Sequence, residues 1–226
     1  MTKKHIVVLT TGGTIASKPS DSGRSQSGEL SGEQLLDQVA LPQGVDVTLE
    51  VMSILQKPSN AVTLADLAEL HCQGRRALSR ADVDGLVITH GTDTLEETAY
   101  FLSLTLPADK PCVITGSQRA PHQLGTDAFK NICDAIVAAV SPQLSQLGCV
   151  VVFNESLFAA RYARKVSSFQ LHGFDAPALV RWGISTVNGS SFITQGLRLS
   201  PPLKAGMFRC RVSIYCPPIW MPRQHC

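Results

Sequence analysis

Three short clusters gather the residue types that could do covalent chemistry on a small polar substrate. Thr10-Thr11-Gly12-Gly13-Thr14, His90-Gly91-Thr92-Asp93-Thr94 and Gly116-Ser117-Gln118-Arg119 each set hydroxyls beside glycine. A threonine hydroxyl is a weak nucleophile at neutral pH and needs a neighbouring base. The Gly12-Gly13 pair would let the backbone approach a ligand and aim N–H groups at a developing oxyanion. The first cluster lacks GxGxxG spacing and the chain has no GxxxxGKS, which disfavours nucleotide binding. No histidine and cysteine spacing suggests zinc, so no metal site is expected.

The second cluster also has a purely structural explanation. Asp93 with Glu96, and Thr94 with Glu97, fit the capping-box spacing, in which a side chain at a helix start accepts from an N–H three residues on. An N-cap would account for one of Thr92, Asp93 and Thr94. It leaves unexplained why Gly91 precedes them and why a histidine and two threonines crowd one turn.

The elements that must position these clusters are strands and helices in alternation. Residues 5–11 (HIVVLTT), Gly85 to Thr89, Pro111 to Thr115 and Gly148 to Phe153 are short apolar runs, expected of strands covered on both faces of a parallel sheet. Val45, Val47, Leu49 and Val51 alternate with polar residues, predicting a half-exposed strand. Helical faces are read from Leu95, Ala99, Leu102 and Leu106, and from Phe129, Ile132, Cys133, Ile136, Val137 and Val140. A third, Leu64, Leu67, Ala68 and His71, is opened by Thr63 with Asp66 three residues on. Ile184 to Val187, Asn188-Gly189 and Ser191 to Ile193 read as a hairpin. The expected fold class is α/β: a doubly wound, Rossmann-like or flavodoxin-like, mostly parallel sheet flanked by helices. Ligands bind such sheets at the carboxyl ends of the strands, where all three clusters fall.

Composition narrows the partners. The 226 residues suffice for one α/β domain and an extra piece. A formal net charge of +2, with 17% charged residues, gives no reason to expect nucleic acid or an anionic membrane as partner. The apolar runs are too short to span a bilayer. Met1-Thr2-Lys3-Lys4 leads into a strand rather than a signal-peptide core, so a cytoplasmic address is expected. Of seven cysteines, Cys72, Cys112, Cys133 and Cys149 sit singly in apolar patterns and read as reduced core residues.

VVLTTGGTIAS (7–17) and DGLVITHGTDTLEETAYFL (84–102) resemble the two signature segments of the bacterial-type L-asparaginases. KPCVITGSQRAP (110–121) and TDAFKNICDAI (126–136) are similar to the segment that follows, and the resemblance runs over residues 5–185. It implies an amidohydrolase that converts L-asparagine and water to L-aspartate and ammonia without metal or organic cofactor. Residue by residue, it implies that Thr14 is the nucleophile and forms an acyl-enzyme. Thr92 would be the second essential threonine, contacting the scissile amide beside Gly91. Asp93 would bind the substrate α-ammonium, and Lys165, in RYARKV, would hydrogen-bond Thr92 and manage protons. Ser59-Asn60 aligns with the pair that holds the α-carboxylate. The partner implied is a small amino-acid amide, and the family is homo-oligomeric.

Two departures from the family follow. A mobile lid fits residues 17–31, and Ser25 stands where the family carries a tyrosine bonded to the nucleophile, too short for that reach. Full-length members also carry a carboxy-terminal α/β domain that completes the neighbouring subunit's site. The division expected here is a catalytic domain over residues 1–190, a linker over 191–210 and a remnant of that second domain over 211–226. The tail CPPIWMPRQHC (216–226) reads as out-of-frame protein, so the 226 residues alone are expected to be weak or inactive. The alternatives are a glutamine-using amidase or amidotransferase subunit, and a non-catalytic fragment.

Overall fold

A computed structural model of the chain describes residues 3–19, 25–26, 30–176, 182–187 and 190–195. The strands are β1 (Lys4–Thr10), β2 (Lys18–Pro19), β3 (Ser25–Gln26), β4 (Val47–Ser53), β5 (Gly85–Thr89), β6 (Cys112–Thr115), β7 (Cys149–Phe153), β8 (Ser156–Ala159), β9 (Arg164–Lys165), β10 (Phe174–Asp175), β11 (Trp182–Val187) and β12 (Ser190–Gln195). The α-helices are α1 (Gly32–Leu36), α2 (Leu64–Ser79), α3 (Leu95–Thr105) and α4 (Ala128–Ala139).

Eight strands form one sheet in the order β12-β11-β8-β7-β6-β5-β1-β4. β4, β1, β5, β6 and β7 are mutually parallel, and β8, β11 and β12 extend the sheet antiparallel. The expected mostly parallel sheet is what forms. Its apolar runs are continuous because alternate side chains serve two cores. Val7, Leu9, Leu86, Ile88 and Ile114 pack with α2 and α3. Ile6, Val8, Val87, Val113 and Val150 pack with α1 and α4 on the opposite face. All five residues of β5 are buried, as a central strand covered on both sides must be. The half-exposed reading of Val47–Ser53 also holds, since β4 is an edge strand.

Local signals fare unequally. The Thr63–Asp66 capping box forms, with the Thr63 side chain accepting from the Asp66 N–H and Asp66 from the Thr63 N–H. Such a cap contributes about 1 kcal/mol to a helix. The predicted face of α2 holds from Leu67 and Ala68, both half-buried, to buried His71, and fails at its first residue. Leu64 is exposed, and the buried stripe is Leu70, His71, Gly74, Ala77 and Leu78. Cys112, Cys133 and Cys149 are buried and free, whereas Cys72 is disulfide-bonded, contrary to the reduced reading. The Ile184–Ile193 hairpin is present as β11 and β12, with Val187 opposite Ser190. The expected linker beyond Gln195 and the tail lie outside the described residues.

Candidate active site

The three clusters follow β1, β5 and β6, neighbouring parallel strands, and so leave the sheet at one edge. A fourth loop, between β4 and α2, joins them at Lys57, Pro58 and Ser59. Direct backbone packing holds these loops together. Gly13 has φ +82°, and a Cβ there would lie 2.4 Å from the Gly91 Cα. A Cβ on Gly91 would in turn lie 2.7 Å from Ser59 Oγ. Neither position has room for a side chain, so two chain reversals touch backbone to backbone. Thr14 and Thr92 are each the next residue along, one Cα–Cα step of about 3.8 Å from that contact.

Each candidate residue has a defined environment. Thr14 is half-buried at the start of the 3-10 turn Thr14–Ala16, and its hydroxyl has no hydrogen-bond partner among the described residues. Thr92 is buried. Its Oγ1 accepts from Lys165 Nζ at 2.8 Å and lies 3.5 Å from Gln118 Oε1, a long and weak donation. Lys165 Nζ also donates to Asp93 Oδ1 at 2.8 Å. The Lys165 side chain is 17% exposed and that of Asp93 62%, so the pair opens outward at the carboxylate. The structure thus brings Lys165, from the far side of the sequence, onto the turn that carries Thr92 and Asp93.

Ser59 is buried and its role is structural as well as local to the site. Its Oγ accepts from the Asp93 N–H at 3.2 Å, and its carbonyl accepts from Thr94 Oγ1 at 2.9 Å. Asn60, beside it, is exposed. Ser25 lies in β3, whose backbone pairs with Pro19 just after the Thr14 turn, and its side chain lies outside the described residues.

Two chemical expectations are corrected. The Gly13 N–H donates to Lys57 O at 3.2 Å, so it is not an oxyanion donor. The close packing of the loop consumes it. The capping boxes read at Asp93/Glu96 and Thr94/Glu97 do not form: Thr94 is the N-cap of α3 without a side-chain cap bond. Thr94 bonds Ser59 instead, and Glu96 bonds the β9 backbone, accepting from the Lys165 N–H. Tertiary partners have displaced the local ones.

His90 lies beneath Gly91, wholly buried. Its Nδ1 is 2.8 Å from the Gly91 carbonyl and its Nε2 is 3.3 Å from Thr98 Oγ1. The short contact to a carbonyl identifies Nδ1 as the protonated nitrogen, leaving Nε2 to accept from Thr98. Burial holds its pKa below the ordinary histidine value, so the ring is a neutral prop for the turn.

The sequence reading assigned no role to Gln118, Asp127 or Asn131, and these organise the third loop. Buried Asp127 accepts from the Gln118 and Arg119 N–H groups and from Asn131 Nδ2, each at 3.0 Å. Asn131 Nδ2 also donates to Gly116 O, and its Oδ1 accepts from the Asn154 N–H. Gln118 Nε2 donates to Ser167 O at 2.8 Å, tying this loop to the segment that carries Lys165. The one sequence signal for these roles is the apolar face of α4, on whose first turns Asp127 and Asn131 are conspicuous polar residues.

No group of three or more metal-ligating side chains occurs among the described residues. No described helix is long and apolar enough to cross a membrane. What remains is a half-buried threonine hydroxyl with no partner among the described residues and a lysine–threonine–aspartate chain, carried on two loops that touch at Gly13 and Gly91, an arrangement suited to acyl transfer.

Known proteins carry the same frame. Residues 5–195 match the family model described as asparaginase, N-terminal. The L-asparaginase of Bacillus licheniformis is 49% identical over 172 residues, which are 76% of this chain and 53% of that protein. The glutaminase-asparaginase of Acinetobacter glutaminasificans is 35% identical over 185 residues, 80% of this chain and 54% of that one. The solved structure of a probable cytoplasmic L-asparaginase from Campylobacter jejuni superposes with a TM-score of 0.75 at 30% identity, covering 84% of this chain and 58% of that one. The chain spans about half the length of the curated relatives it matches. By this match and by the loops that build the site, the chain belongs to the asparaginase family.

Proposed function

We propose that this chain carries the threonine machinery of an L-asparagine amidohydrolase, forming L-aspartate and ammonia. The observation that carries the reading is Lys165 Nζ, 2.8 Å from both Thr92 Oγ1 and Asp93 Oδ1, on the turn whose Gly91 packs against Gly13, the residue before Thr14. The names of the relatives support the same chemistry. In this reading the Thr14 oxygen attacks the side-chain amide carbon and the C–N bond breaks. The Thr14 hydroxyl proton passes along Thr92 and Lys165 to the amide nitrogen so that ammonia leaves, and water then cleaves the aspartyl ester, one water proton returning to the Thr14 oxygen as aspartate is released. Asp93, with its exposed carboxylate, takes the α-ammonium, and Ser59-Asn60 faces the α-carboxylate. Residues 1–190 form the catalytic unit. No metal or organic cofactor takes part, and a cytoplasmic address accords with the likeness to the Campylobacter protein.

A second substrate has specific support. The Acinetobacter relative is named a glutaminase-asparaginase, and one additional methylene is weakly discriminated by binding alone. Ammonia release from asparagine and from glutamine, measured beside Thr14→Ala, tests both. For the 226 residues assayed alone, turnover is expected to be slow but above that control, with asparagine preferred. Equal release by the chain and by Thr14→Ala, with an electrophilic asparagine analogue failing to label Thr14, would sink the proposal.

A further inference from the structure

The ammonium of Lys165 is held by Thr92 and Asp93, but its backbone is held by the same helix end. The Lys165 N–H donates to Glu96 Oε2, and Arg164 NH1 donates to Glu96 Oε1 at 3.2 Å. One lysine is therefore bound at its ammonium by the loop entering α3 and at its backbone by the first turn of α3, Glu96 lying 69 residues away in sequence. Among the described residues β9 pairs with two-residue β10, which Phe174 anchors against Phe153 at a ring separation of 4.8 Å, and the segment just after it is tied by Gln118 Nε2 donating to Ser167 O. We propose that Glu96 is the positioning residue for Lys165, a carboxylate that sets the register of β9 so that the ammonium reaches Thr92. The proposal rests on the role assigned to Lys165 above.

A plainer explanation is that an acidic residue in the first turn stabilises the helix. Glu97, the next residue, supplies the same charge in the same turn, is exposed, and makes no bond to β9. Glu97→Gln is therefore the built-in control. Glu96→Ala removes both acceptors, whereas Glu96→Gln keeps one oxygen for the Lys165 N–H.

Three readouts decide it: hydrogen exchange at the Lys165 amide, acylation of Lys165 by an amine-directed reagent relative to the other lysines, and kcat with KM for ammonia release. In Glu96→Ala the Lys165 amide should exchange at least about tenfold faster, with Lys165 acylated faster. The value of kcat should fall about 100-fold, more than KM changes, as expected for a misplaced proton-handling group. Glu96→Gln should recover most of each, and Glu97→Gln should change none. If Glu96→Ala does not fold, Glu96→Asp, which keeps the charge but withdraws the carboxylate by one methylene, is read against Glu97→Asp: faster Lys165 exchange and labelling in the first alone is expected, and equal values in the two would overturn the proposal. Unchanged exchange and labelling in a folded Glu96→Ala would also overturn it. The first two readouts need no turnover, so a wild-type chain that releases no ammonia defeats the functional reading alone.

Discussion

The two ends of the sheet handle polar groups in opposite ways. At the amino end, charges close on one another. Arg80 meets both Glu50 and Asp82, His5 lies 3.2 Å from the same two carboxylates, and Lys4 meets Asp84. Lys110 adds a donation to the Arg80 carbonyl. At the carboxyl end, backbone packing and buried amides do the holding, through Gly13 against Gly91, Ser59 under Asp93, and Asp127 under Gln118. Among the described residues the Thr14 hydroxyl has no hydrogen-bond partner, and the Asp93 side chain is 62% exposed. At the amino end the ion pairs stand on their own at the surface; at the carboxyl end the Lys165–Asp93 pair is mounted on a frame of backbone and amide contacts.

The contrast can be broken most severely at Gly13. Gly13→Ala adds a Cβ onto the Gly91 backbone at a φ of +82°, where no flexible side chain can yield. Urea unfolding should show a loss of about 2–4 kcal/mol, from overpacking and left-handed strain together. Any ammonia release should fall at least about 100-fold. A variant with unaltered stability would mean that the two loops are not in contact.

Exchanging the two ends gives the next largest effect. Lys165→Met should lower ammonia release about 100- to 1000-fold. It should leave the unfolding free energy within about 1 kcal/mol, since its partner Asp93 is mostly exposed. Arg80→Ala should do the reverse: a small loss of melting temperature that disappears in high salt, with ammonia release unchanged. Equal behaviour of the two variants would erase the distinction.

Acid should separate the ends by a smaller margin. His90 under Gly91, and His71 between α2 and α3, have pKa values lowered by burial. The unfolded chain then binds protons that the folded chain refuses, so stability is present above the ordinary histidine value of 6.5 and is lost as pH falls below it. The slope is at most about 1.4 kcal/mol per pH unit for each ring. At the amino end, Arg80 holds Asp82 down to about 2 and Lys4 lowers Asp84. Their contribution is present above the ordinary carboxylate value of 3.8 and fades only as pH falls below it. Between pH 7 and 5 the protection of amides against hydrogen exchange, taken relative to the intrinsic rate at each pH, should therefore fall around His90 before it does around β1 and Arg80. Simultaneous loss would contradict the assignment.

What could be read from sequence follows the range of the interaction. The runs HIVVLTT, GLVIT and GCVVVF announce covered strands because burial on both faces is written residue by residue. Thr63 and Asp66 announce a cap because both partners lie within one turn. The same pattern at Asp93 and Glu96 misleads, because Lys165 outbids the local N–H for the Glu96 carboxylate. Gln118 and Ser167, or Gly13 and Gly91, are neighbours only once the sheet order is set. Lys165 itself was reachable through likeness to a family and not through any local pattern. The amino-end ion cluster left no legible trace at all, since Glu50, Arg80 and His5 sit on three separate elements or loops.

The central claim is that Thr14 and Thr92 face one amino-acid ligand. A crystal structure of Thr14→Ala grown with L-asparagine tests it most directly. The ligand amide should lie between residue 14 and Thr92 Oγ1, with its α-ammonium on the Asp93 carboxylate. Asparagine bound away from either position, or no binding at saturating concentration in a folded Thr14→Ala chain, would contradict the account.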